Sequence, residues 1–220
     1  MEPVKAVLFD LDGTLLDTAP EFTFCMNELL NQESREHVSI DAFRPYVTHG
    51  SGSMVRFAFG LGATDPQLED LRRRFLDLYT LHLGSKTNLV AGVDLLIAHL
   101  EQNDLPWGIV TNKPKQFALP LIDGFAFLKK SQTIVTGDMV SASKPSPIPL
   151  LEACKRMNII PNHTWYLGDA DIDVIASHAA GMRCAVAKYG YIAPEENPLD
   201  WNADFYIDHP QHLISVLTKG

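Results

Sequence analysis

The sequence predicts an α/β fold in which a parallel sheet is covered by helices on both faces and is interrupted, after its first strand, by a helical insertion. Short apolar runs rich in Val, Ile and aromatics recur along the chain. Patterns of apolar residues at three- or four-residue spacing separate several of them, and strand alternating with helix implies a parallel sheet. The third observation is a long stretch with helical periodicity and no convincing strand, placed directly after the first run.

The first run, residues 4–9, ends at Asp10. Residues 18–86 then carry Phe22-Met26-Leu29-Leu30 and Leu68-Leu71-Phe75-Leu78-Tyr79, both at helical spacing. This segment is expected to be a cap over the end of the sheet, joined through residues 16–19 and 85–92. The division is a core of residues 1–16 and 87–220 and a cap of residues 17–86. Beyond it, Val93-Leu96-Ile97-Leu100 predicts a helix, and residues 107–110 and 133–135 predict strands. Leu150-Leu151-Cys154-Met157 predicts the next helix, and residues 164–167 the next strand. Val174 and Ile175 with Ala179 predict a further helix, and residues 184–187 and 205–207 the last two strands. No internal repeat or low-complexity segment is present.

Composition narrows the function. With 220 residues, 46% of them hydrophobic, the chain can bury a sizeable core. Its formal charge of −9, from 18 Lys and Arg against 27 Asp and Glu, argues against a nucleic-acid partner, whose backbone requires clustered basic residues. Cys25, Cys154 and Cys184 lie far apart without paired spacing, which predicts reduced, buried thiols. Glu2 and the absence of a long apolar stretch before Asp10 argue against a signal peptide. No run approaches membrane-spanning length, and the expected location is the cytoplasm. Partners reduce to a small metabolite, with no nucleic acid and no membrane; oligomeric state has no signature in the sequence.

In an open parallel sheet, ligands bind outside the carboxyl ends of the strands, so the polar residues that follow each apolar run are the candidates. After the first come Asp10-Leu11-Asp12-Gly13-Thr14. Side chains at i and i+2 of an extended backbone point the same way, and two acids aimed into one space repel unless a cation or a shared proton relieves them. A divalent metal with oxygen ligands does so near neutral pH, although an Asp-Gly pair also marks hairpin turns. After residues 107–110 come Thr111, Asn112 and Lys113, where a hydroxyl and backbone N–H groups suit a phosphate oxygen. Lys144 sits in a loop stiffened by Pro145 and Pro147. After residues 164–167 comes Gly168-Asp169-Ala170-Asp171-Ile172-Asp173, in which Asp169 and Asp173 can face one site while Asp171 caps the following helix. If these loops converge, Asp10, Asp12, Asp169 and Asp173 are available for a metal, and Thr111 with Lys144 for a phosphate. In the insertion, the loop Thr48-His49-Gly50-Ser51-Gly52-Ser53 offers N–H groups to an anion before the next helix. Gly50, Ser51, Gly52 and Arg56 are the candidate substrate contacts, Arg56 for a carboxylate. The histidines show no metal-ligand spacing.

Together these residues match the four motifs of the haloacid dehalogenase superfamily of phosphotransferases, and the chain resembles that family over residues 4–207. A helical insertion directly after the first motif is similar to the phosphoglycolate phosphatase branch. Thr111-Asn112-Lys113-Pro114, Lys188-Tyr189-Gly190-Tyr191-Ile192 with Asn197-Pro198, and Ala203-Asp204 resemble proteobacterial phosphoglycolate phosphatases and N-acetylmuramic acid 6-phosphate phosphatases. Ser146 departs from the pattern, since many relatives carry Asp in a Lys-Pro-Asp-Pro sequence. The resemblance implies a Rossmann-like core and a phosphomonoesterase, expected to be of the phosphoglycolate type. An N-acetylmuramic acid 6-phosphate phosphatase and a β-phosphoglucomutase-type mutase are the alternatives. It implies Asp10 as nucleophile and Asp12 as general acid and base. It also implies Mg²⁺ held by Asp10, the Asp12 main-chain carbonyl and Asp169, with Asp173 outside them, and phosphate held by Thr111, Asn112 and Lys144. Asp12 argues against carbon–halogen cleavage, and the lack of lysine in residues 18–85 argues against Schiff-base phosphonate chemistry. A binding protein that had lost the chemistry would be expected to lack one of these groups, and all are present.

Overall fold

Six strands line up in one parallel sheet in the computed structural model, which describes residues 4–217. The outer ends of the expected core segments, residues 1–3 and 218–220, lie outside the described residues, and Glu2 with them. The strands in chain order are β1 (Ala6–Phe9), β2 (Leu16–Asp17), β3 (Asn88–Leu89), β4 (Trp107–Thr111), β5 (Ile134–Thr136), β6 (Thr164–Gly168), β7 (Arg183–Ala187) and β8 (Phe205–Ile207). The main sheet runs β5-β4-β1-β6-β7-β8, with Phe9 beside Ile109 on one side and Leu167 on the other. All six apolar runs read as strands are therefore strands.

Alternation along each strand divides the core between the two faces of the sheet. Val7, Phe9, Trp107, Ile109, Trp165, Leu167, Ala185 and Ala187 join one apolar cluster. Their neighbours Leu8, Val110, Tyr166, Cys184 and Val186 join the other. Strands this apolar on both faces need cover on both, which is why they read as continuous hydrophobic runs. No helix among the described residues is long and apolar enough to cross a membrane.

The helices in chain order are α1 (Ala19–Gln32), α2 (Ile40–Phe43), α3 (Gly50–Phe59), α4 (Leu68–His82), α5 (Val93–Gln102), α6 (Lys115–Gly124), α7 (Ile148–Met157), α8 (Asp171–Ala179) and α9 (His212–Leu217). Val93, Leu96, Ile97 and Leu100 of α5 are all buried. The pattern overreaches at three residues, since Leu151 in α7 and Ile175 and Ala179 in α8 are exposed while Leu150, Val174 and Ala180 beside them are buried. A helix turns about 100° per residue, so an adjacent apolar residue leaves the buried stripe. Cys25, Cys154 and Cys184 are free and buried, as expected.

Helices α1 to α4 enclose an apolar cluster of their own, built on Phe22, Met26, Leu29, Leu30, Phe43, Val55, Phe75 and Tyr79; Phe117 and Tyr191 enter it from the sheet side. Two devices tie the ends of this segment together. Strands β2 and β3 pair antiparallel, Leu16 with Leu89 and Asp17 with Asn88. The fully buried Glu21 accepts N–H bonds from Gly84 at 2.9 Å, Lys86 at 2.9 Å and Thr87 at 3.2 Å. A buried carboxylate is tolerated only when hydrogen-bonded in this way. Residues so few as β2 and β3 carry no period, and the pair was not foreseeable from the sequence.

Candidate active site

Because β1 lies between β4 and β6 and all three run the same way, their carboxyl ends bring Asp10, Thr111 and Asp169 to one edge of the sheet. The chain goes to one side of β1 through β4 and β5 and returns to the other through β6, which makes this edge the topological switch point. Gly13 has φ +80°, a backbone turn that favours glycine. A Cβ there, or at Gly190, would run into the Asp169 carboxylate, and one at Gly168 into that of Asp173. Three glycines thus make room for two acids.

Asp10, Asp169 and Asp173 each place a carboxylate oxygen within 4.8 Å of the others. Thr14 Oγ1 donates to Asp169 Oδ1 at 3.1 Å, and the Tyr191 N–H donates to Oδ2 at 2.7 Å. Asp173 Oδ2 accepts from the Ala170 N–H at 3.1 Å, capping α8 from inside. The expected cap, Asp171, instead sits exposed on the first turn, so the task falls to Asp173. Lys144 Nζ is 3.0 Å from Asp10 Oδ1, 2.7 Å from Asp173 Oδ1 and 2.8 Å from the Tyr166 hydroxyl. At Asp10 this is an ion pair without hydrogen-bond geometry, and Asp10 Oδ1 is a buried oxygen with no hydrogen bond.

One lysine among three acids, two of them buried, sets the electrostatics. Burial pushes Asp10 up to about 6 from an ordinary 3.8, against the pull of Lys144 and with help from Asp173 and Asp12. Burial, then Asp10 and Asp173, hold Asp169 well above the carboxylate range. Burial opposes the charge on Lys144, but Asp10 and Asp173 outweigh it and keep the ammonium protonated. Hard oxygen donors with surplus negative charge and one unbonded oxygen fit a divalent cation such as Mg²⁺.

Asp12 faces the same space from two residues along. Thr18 Oγ1 donates to its Oδ1 at 2.7 Å, and Lys113 Nζ lies 3.1 Å from that oxygen. Lys113 is itself buried, with its ammonium 4.6 Å from the Phe22 ring centre and 4.9 Å from that of Tyr79. Thr111 Oγ1 accepts from the Lys113 N–H at 3.1 Å, which leaves its hydroxyl hydrogen without an acceptor among the described residues. Asn112 lies at the edge of the same space. Its amide donates to the Lys144 carbonyl and accepts from the Lys144 N–H, each at 2.9 Å, so this side chain positions the Lys144 main chain.

A cavity of about 260 Å³ opens over these groups. Asp10, Asp12, Thr111, Lys144 and Asp169 form its floor, and α3 and α4 supply Gly50, Ser51, Met54, Arg72, Leu76 and Tyr79 to its walls. Gly50 and Ser51 are thus where the sequence suggested, but Gly52 and Arg56 do not line it. Helix α3 begins at Gly50, which puts Arg56 five residues from Ser51 and about 140° round the helix, on another face. Arg72 of α4 is the insertion's cation at the cavity, with its Nε 2.9 Å from Ser51 Oγ.

A profile of the haloacid dehalogenase-like hydrolases matches residues 7–187. The chain belongs to that family. A protein named N-acetylmuramic acid 6-phosphate phosphatase from Pseudomonas aeruginosa is 41% identical over 217 residues, 99% of this chain and 96% of its own. One named phosphoglycolate phosphatase from Xanthomonas campestris is 37% identical over 210 residues, 95% and 94% of the two chains. The crystal structure of a predicted phosphoglycolate phosphatase from Haemophilus somnus superposes with a TM-score of 0.85 at 22% identity, covering 98% of this chain and 99% of its own, a likeness of fold.

In this hydrolase several contacts at the site join residues too distant in sequence for any local pattern. Tyr191 is the clearest case. Its hydroxyl accepts from the N–H groups of Thr18 and Ala19 at 2.6 and 3.0 Å and lies 2.9 Å from Asp17 Oδ1, while its own N–H holds Asp169. One residue, through its main-chain N–H and its hydroxyl, therefore links the acid cluster to the start of the insertion.

Proposed function

We propose that this chain is a Mg²⁺-dependent phosphomonoesterase that acts on a small phosphorylated metabolite through an aspartyl-phosphate intermediate. The observation that carries the reading is the Asp10 carboxylate, held at the floor of a cavity beside Lys144 and a buried acid cluster. Asp10 attacks phosphorus in line, the phosphorus–oxygen bond of the ester breaks, and Asp12 gives its proton to the departing alkoxide. Asp12 then takes a proton from water as that water attacks the phosphorus, returning Asp10 and releasing phosphate. Lys144 and the Thr111 hydroxyl hold the non-bridging oxygens, and Asn112 fixes the main chain of Lys144. Asp10, the Asp12 carbonyl and Asp169 would ligate Mg²⁺, with Asp173 orienting its waters; when bound it neutralises charge on nucleophile and phosphate. Residues 17–86 act as the cap, keeping bulk water from the reaction. Buried free thiols suit a cytoplasmic location.

Between the substrates named for its relatives, the higher identity to the sugar phosphatase and the size of the cavity favour N-acetylmuramic acid 6-phosphate over phosphoglycolate. The cavity, about 260 Å³, lies just below the roughly 300–1,000 Å³ range of drug-sized pockets, yet is more than a two-carbon acid fills. The test is phosphate release from each substrate, with Mg²⁺ and with chelator, compared as kcat/KM. A preference of tenfold or more, about 1.4 kcal/mol, decides the substrate, and Mg²⁺-independent turnover would remove the metal from the reading.

A pH dependence follows from the acid cluster. A carboxyl whose folded pKa exceeds its unfolded value contributes stability that is present below 3.8 and lost as pH rises through about 6, the value for Asp10. Mg²⁺ needs the ionised acids, so the Mg²⁺-induced rise in Tm should be larger at pH 7.5 than at pH 5. Equal shifts at the two pH values would separate the metal from these carboxylates.

A further inference from the structure

We infer that Arg72 reads a carboxylate on the substrate at a distance from the scissile ester, so that the preferred substrates are phosphorylated sugar acids. This inference rests on the phosphatase reading and adds to it a residue that selects the substrate.

Three basic side chains line the cavity, and two are already paired with acids at its floor. Lys144 is held by Asp10 and Asp173, and Lys113 by Asp12. Arg72 is different. Its Nε donates to Ser51 Oγ at 2.9 Å and its Nη1 to Glu69 at 3.0 and 3.2 Å, while Nη2 has no hydrogen-bond partner among the described residues. Glu69 is 80% exposed, and an ion pair in water is worth little. A carboxylate arriving inside a partly desolvated cavity can displace it, and the planar fork of arginine suits two-point contact. Ser51 holds the guanidinium in place while this happens.

The helix sets how far that carboxylate lies from the chemistry. Arg72, Leu76 and Tyr79 all line the cavity from α4, as residues four and seven apart on one helix face should. Tyr79 stands at the catalytic end, its ring centre 4.9 Å from Lys113 Nζ, which is 3.1 Å from Asp12. Arg72 is two turns earlier, roughly 10 Å along the axis at 1.5 Å per residue. A two-carbon phosphorylated acid keeps its carboxylate next to the ester carbon, beside Asp12 and Lys113. A hexose 6-phosphate with an acidic ether across the ring carries it toward Arg72, past the apolar wall formed by Leu76 and Met54.

The experiment uses two sugars that differ only in the lactyl ether, N-acetylmuramic acid 6-phosphate and N-acetylglucosamine 6-phosphate, with an aryl phosphate as reference. The wild-type enzyme should favour the acid by on the order of 10–100-fold in kcat/KM. Arg72→Met should bring that ratio toward one, mainly through KM for the acid, and Arg72→Lys should restore part of it. Folding of each variant is checked by Tm. Equal kcat/KM for the two sugars in the wild type, or an unchanged ratio in Arg72→Met, would overturn the inference while turnover of the aryl phosphate left the phosphatase reading standing. Failure of the wild type to release phosphate from any of the three would instead defeat that underlying reading.

Discussion

Asp10→Asn is expected to lower kcat for phosphate release by about 10⁴-fold or more while leaving the protein folded. A carboxamide keeps the size and one oxygen of the carboxylate but has no charge with which to attack phosphorus. The surroundings should accept it, because one oxygen of Asp10 is already a buried atom without a hydrogen bond and burial already disfavours the ionised form. Tm at neutral pH should therefore stay within a few degrees, roughly the shift of a 1 kcal/mol change. The measurement is phosphate release under single-turnover conditions, together with acid-quenched detection of covalent phosphate on the protein. Turnover within a hundredfold of wild type, or covalent phosphate on the variant, would assign the nucleophile elsewhere.

The same chemistry explains what could and could not be read from the chain. The six main strands were legible because each is a short apolar run followed at once by Gly or a polar or charged residue, and because burial on both faces removes the polar half of the alternation. The acids were legible because Asp10 and Asp169 follow strand ends directly, where parallel strands must expose a common edge. Contacts such as Thr14 with Asp169 and Tyr191 with Thr18 join residues more than 150 positions apart, and no local pattern encodes them. Arg72 was hidden for another reason. It lies in α4 among Glu69, Asp70, Arg73 and Asp77, whose i,i+3 and i,i+4 pairs read as a solvated face. Arg56 drew attention through its nearness to glycines, and helical phase then carried it to a different face. The Asn112 amide shows the converse case, in which the residue was at the predicted place and its hydrogen bonds were already committed to the Lys144 main chain.

Lys144→Met should produce the second large effect, and one whose pH dependence identifies its cause. The ammonium is nearly enclosed, with its side chain 1% exposed, and it is the cation that contacts both Asp10 and Asp173. Removing one member of such a buried network leaves uncompensated charge and costs about 3–5 kcal/mol, measurable by urea denaturation at pH 7.5 without metal. Asp10 and Asp169 can escape by taking up protons, and their folded pKa values already stand above 3.8. A raised carboxyl pKa gives stability that is complete below the unfolded value and disappears as pH climbs through the folded one. The deficit of the variant should accordingly be small near pH 4 and grow as pH passes about 6. Mg²⁺ at pH 7.5 should recover part of the lost stability, since it neutralises the same acids. It should not recover turnover, because the phosphate oxygens have lost a fixed donor; kcat/KM should remain lower by about 10²–10³-fold. A deficit that did not change between pH 4 and pH 7.5 would trace the loss to packing of the lysine stem and not to the charge it holds between the two aspartates.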